Sequence, residues 1–98
     1  MGKIYFTKDT EPSKFKIEKI YDLAGRLILH GTTMHGIIKP GIEGKVKGKE
    51  FVLEFIERKN IRLDYLEKND EGDLVIKSKD TLKKINKEDF NVGQILLF

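Results

Sequence analysis

The sequence predicts an all-β fold, a small closed or nearly closed antiparallel barrel of about six strands. Apolar residues recur at the period of a strand packed on one side: Phe51, Leu53 and Phe55 alternate with Val52, Glu54 and Ile56, and Ile61, Leu63 and Tyr65 alternate with Arg62, Asp64 and Leu66. Glycines at 31, 36, 41, 48 and 72 divide the chain into short segments, the spacing of a small barrel or sandwich. The 98 residues are enough for one modest core, so a single domain is expected over 1–98.

In chain order, residues 3–7 (KIYFT) form a short candidate strand, and polar residues 8–14 around Pro12 read as a loop. Further strands are expected near 15–23, 26–34, 36–39, 44–47, 50–58, 60–66, 73–78 and 94–97. Between the first two, Ala24-Gly25-Arg26 reverses the chain, with Gly25 supplying a positive φ. Gly31 interrupts the second strand where a bulge would bend a closing sheet. Pro40-Gly41 suits the central positions of a type II turn. Asn86-Lys87-Glu88-Asp89 starts one helical turn before the last strand, and no helix longer than two turns is expected.

Composition narrows the chemistry. With no cysteine, disulfides, thiolate catalysis and cysteine-ligated zinc are excluded. No apolar run approaches the roughly 18 residues of a membrane helix, and the start MGKIYFTKD has no signal-peptide h-region. Phe6 occupies the Ser or Thr position that myristoylation at Gly2 requires. A cytoplasmic protein without a membrane partner is expected, and the Lys, Glu and Ile bias fits heat tolerance. A net charge of +3 permits an anionic partner without demanding one.

Several motifs invite a catalytic or ligand reading. NKED at Asn86 matches the guanine-recognising NKxD pattern, but the chain has no GxxxxGK[ST] phosphate loop. The string falls in a closing turn, where a capping Asn and acidic residues belong, so neither GTP binding nor hydrolysis is expected. His30 and His35 would point to opposite faces of a regular strand and have no third ligand nearby. Ser13 and Ser78 lack nucleophile-elbow context. No catalytic residue, metal or cofactor is therefore expected. Phe51, Phe55 and Phe90 read as core, and Tyr21 as the aromatic nearest to half exposure.

Two stretches are basic. Lys39, Lys45, Lys47 and Lys49 face one local acid, Glu43, while Lys77, Lys79, Lys83, Lys84 and Lys87 face Asp80. Such lysines either reach phosphates or guard sheet edges against aggregation. The acids Asp64, Glu67, Asp70, Glu71 and Asp73 restrict any RNA footprint to one side.

The stretch Ile20 to Gly41 (IYDLAGRLILHGTTMHGIIKPG) resembles the β-barrel second domain of translation GTPases such as elongation factor Tu. Glu71-Gly72-Asp73-Leu74-Val75 is similar to that family's loop-to-strand step, and Ile85 to Leu96 (INKEDFNVGQIL) to its closing element. The three matches occur in the family's order and cover roughly 15–97. One residue is missing after Gly25-Arg26, Leu74 replaces a residue often polar in elongation factor Tu, and Lys45 to Asp70 aligns poorly. The resemblance implies a translation-protein barrel, here free-standing without its GTPase domain. In the family this barrel contacts ribosomal RNA and, in elongation factor Tu, holds the aminoacylated end of tRNA. Carried over by position, Arg26, Leu27 and Ile28 line the strand nearest the terminal nucleotide, with Glu57 and Arg58 on the adjacent hairpin.

The expected function is a non-catalytic module contacting ribosomal RNA or tRNA through a basic side comprising Arg26, Lys39, Lys45, Lys47 and Lys49. The alternative is a protein-interaction module, using the barrel face that a GTPase domain covers in the family. A monomer or weak dimer is expected.

Overall fold

Three two-residue hairpins, each with both loop residues at positive φ, set most of the architecture. The computed structural model describes residues 11–98, so the strand expected at 3–7 lies outside the described residues. Ala24 and Gly25 (φ 52° and 79°) join β1 (Lys14–Leu23) to β2 (Arg26–His35). Lys47 and Gly48 join β3 (Glu43–Val46) to β4 (Lys49–Arg58) in the same way, and Lys59 and Asn60 join β4 to β5 (Ile61–Leu63). Such loops twist with the strands they connect, whereas the mirror-image turns would splay them. Gly41, at φ 97°, completes a turn in which Ile42 N–H donates to the Lys39 carbonyl, as Pro40-Gly41 predicts.

With β6 (Glu71–Ser78) and β7 (Ile95–Leu97), the strands form one antiparallel sheet in the order β3-β4-β6-β2-β1-β7, with β5 paired to β4. The sheet curls into the nearly closed all-β barrel that the sequence predicts, and the one helical element described is the 3-10 turn Lys87–Asp89. That turn seals the gap between the two ends of the sheet. Phe90, just after it, packs edge-on against Phe51 of β4 at 5.7 Å between ring centroids, and Phe98 does so at 6.0 Å. Around these rings the core gathers Phe15, Ile17, Leu29, Leu53, Ile56 and Leu74, among others, from six strands and the connecting loops.

The structure corrects four sequence expectations. The strand at 36–39 shrinks to a single bridge between Ile38 and Leu66, and the one at 60–66 shrinks to β5. Gly31 is not a bulge: it stays in register with Ile17 on β1 and Gly72 on β6, and the register shift lies on β1 between Ile17 and Lys19. Gly31 is needed because the chains approach so closely that a Cβ would run into the Lys16 carbonyl. Phe55 is not core. A second bulge, between Leu53 and Phe55, makes Glu54 an extra residue and reverses the alternation, so Ile56 turns inward and Phe55 outward.

Candidate nucleic-acid interface

The outward-facing residues of β1, β2, β6 and β4 form the floor of a groove. His30, Asp73 and Glu57 occupy one cross-strand row, and Ile28, Val75 and Phe55 the next. The groove encloses about 610 Å³ and is lined by Tyr21, Ile28, His30, Glu57, Arg58 and Asp73, among others. His30 Nδ1 donates to Asp73 Oδ1 at 2.6 Å, since an ionised carboxylate only accepts. Arg58 is anchored by Nε–H donation to the Glu71 carbonyl at 2.9 Å, and the tight Lys59-Asn60 turn follows it at the groove's end. Tyr21 is 39% exposed, so its ring has open surface.

Ile28, Glu57 and Arg58, which the resemblance picks out from separate strands, meet at this groove. Leu27 does not reach it, because its side chain turns into the core. Leu74 also faces inward and is fully buried, whereas its neighbour Asp73 lines the groove. The replacement at Leu74 therefore leaves the groove surface unchanged.

Arg26 is not in the groove lining but in that of a second hollow, and it lies over Phe55, its Cζ 5.4 Å from the ring centroid. Arg62 lies over the same ring, with Cζ 3.8 Å from the centroid. No residue pattern pointed to this pair. Its signal was the parity of Phe55, which depends on a bulge that the alternating pattern hides.

The hairpin lysines lie at the other end of β4. Lys49 Nζ forms an ion pair with Asp89 at 2.9 Å, and Lys47 Nζ donates to the Glu88 carbonyl at 3.3 Å. The Lys49 hydrogen bond, aided by the Asn86 N–H and the Lys47 charge, holds the Asp89 carboxyl below the usual aspartate range against the opposing effect of burial. Lys79 donates to Glu43 at 2.8 Å, and that contact holds its ammonium above the usual lysine range. Among the described residues, Lys39 and Lys45 make no such bond.

The NKED residues hold the closing turn together. The Asn86 side chain accepts from Glu88 N–H, and Asp89 accepts from Asn86 N–H, forming a capping box. Ser13 donates to the Ile37 carbonyl, and Ser78 accepts from Ile85 N–H. Among the described residues no group of three or more His, Asp or Glu is placed to hold a metal ion, and no helix is long and apolar enough to cross a membrane.

The curled sheet with its sealing 3-10 turn is a nearly closed antiparallel β-barrel. GDP-bound aIF5B from Aeropyrum pernix, a translation GTPase, matches 88% of this chain with a TM-score of 0.68 and 21% identity. The chain spans 14% of that protein's length, and at this identity the likeness establishes the fold alone. No protein-family model and no curated protein matches the chain in sequence.

Proposed function

We propose that this chain is a non-catalytic RNA-binding barrel, akin to the second domain of elongation factor Tu, whose outer groove receives an unpaired nucleotide of ribosomal RNA or tRNA. The observation that supports this most is the convergence of Ile28, Glu57 and Arg58 on one groove of about 610 Å³. Tyr21 and Ile28 offer a base flat and apolar surface, Glu57 and Asp73 can accept from ribose hydroxyls and base amino groups, and Arg58 supplies a fixed cation. Arg58, Lys19 and Lys59 are balanced by Glu57, Glu71 and Asp73 in the lining, which suits a nucleoside better than a run of phosphates.

Fluorescence anisotropy with a short RNA hairpin carrying an unpaired 3′ end is the test. The wild type should bind it more tightly than a blunt duplex, and Tyr21→Ala should weaken binding about tenfold through lost stacking. Equal affinity for the two RNAs, or an unaffected variant, would count against the groove.

One observation favours the second reading, a protein partner. The end strand β7 exposes Ile95 and Leu97 on one face, near exposed Val92. Oligomerisation or partner capture that is lost in Ile95→Ser/Leu97→Ser, with no RNA binding by the wild type, would establish that reading instead.

A further inference from the structure

We propose that Arg26, Arg62 and Lys84 form a track for the phosphodiester backbone of the RNA strand whose unpaired nucleotide enters the groove, an inference that rests on the RNA-binding reading above. The bulge at Glu54 turns Phe55 outward, and two arginines from strands on either side of β4 then lie over its ring, with Cζ 5.4 Å (Arg26) and 3.8 Å (Arg62) from the centroid. A guanidinium held over a ring still carries N–H donors, of the kind that grip phosphate oxygens. Among the described residues neither arginine is paired with a carboxylate. Two cations gathered on one ring favour an anion joining them, with Glu57, cross-strand from Arg62, as the opposing charge beside them.

A second hollow continues the track beyond Arg26. It encloses about 350 Å³ and is lined by Arg26, Lys77, Lys84, Ser78 and Glu54, among others. Its one acid, Glu54, is already engaged by Lys77 at 3.5 Å, so Arg26 and Lys84 are the cations left for a ligand. On the other side, Ile28 of the groove and Phe55 of the arginine platform share a cross-strand row through Val75. Apolar groove and cationic track thus adjoin, matching the base and phosphate halves of a polynucleotide. An acidic polypeptide fits less well, because Glu57, Glu71 and Asp73 would oppose it at the groove.

The test is anisotropy titration of a fluorescein-labelled single-stranded octaribonucleotide between about 0.05 and 0.5 M salt, with folding checked by circular dichroism. Relative to wild type, Arg26→Gln/Arg62→Gln should flatten the log–log salt slope by about 1.4 and lose roughly twentyfold in affinity at 0.1 M salt. Phe55→Leu keeps both charges without the ring, so affinity should drop several-fold at an unchanged slope. If the glutamine pair fails to fold, Arg26→Lys/Arg62→Lys replaces it and should behave as Phe55→Leu does. Wild-type binding with an unaltered slope in the glutamine pair would overturn the track while leaving the RNA reading standing. Absence of wild-type binding would overturn both. Polyglutamate bound as tightly as RNA, and lost in the same variant, would overturn the choice of RNA.

Discussion

Asp89 concentrates the residue-scale logic of this chain. Its carboxylate accepts from Lys49 and caps the closing turn, and these bonds depress its folded pKa below the ordinary value of 3.8. A depressed carboxyl contributes stability that is fully present above the unfolded pKa and is lost as pH falls through the folded one. Asp89→Asn should therefore lower stability at pH 7 and flatten the decline between pH 4 and pH 2. Urea melts across that range check this, and parallel curves for the two proteins would refute it. The capping box occupies the Asn86 and Asp89 side chains of the NKED string, so calorimetry with GTP and magnesium should give no saturable heat. Saturation at micromolar GTP would mean that the turn opens to form a nucleotide site. The string matches a motif in letters, and its lack of a phosphate loop made the structural role legible from sequence. Gly31 was only half legible. A special glycine was evident, but its cause is a close approach by Lys16 of the paired strand, which no local pattern reveals.

At the scale of elements, turns were easier to read than strand faces. Gly25, Gly41 and Gly48 marked reversals because positive φ leaves few residue choices, whereas at Lys59-Asn60, which uses the same geometry without a glycine, the sequence showed only a break between the strands expected at 50–58 and 60–66. The run from Phe51 to Ile56 alternates apolar residues in a way that fits either face. Closure of the barrel decides between them by inserting the bulge at Glu54. Thermal or urea denaturation should expose the consequence. Phe51→Ala removes a fully buried ring packed on Phe90 and Phe98 and should cost about 3–5 kcal/mol. Phe55→Ala removes an outer ring and its arginine contacts and should cost roughly 1 kcal/mol. Equal losses would mean that the two rings share the core and that the register across the bulge is wrong.

For the whole molecule, the fold was legible because hairpin signals, short strands and the family resemblance agree, and each is set by local chemistry. The binding face was less legible, because formal charge does not reveal which cations are already engaged. Lys47, Lys49 and Lys79 looked available in sequence, yet each bonds to another part of the barrel, while Arg26 and Arg62 meet only once the sheet curls. The lysine hairpin should accordingly contribute little to binding: Lys45→Gln/Lys47→Gln/Lys49→Gln should retain most RNA affinity by anisotropy, with some loss of stability where the Lys49–Asp89 pair is broken. The most direct measurement of the central claim is an amide chemical-shift titration of the 15N-labelled protein with a short single-stranded RNA. The account predicts saturable shifts around Tyr21, Ile28, Arg58 and Arg26, with the Lys45 to Lys49 hairpin and β7 little changed. Shifts confined to that hairpin or to β7, or no saturable shifts at all, would contradict it.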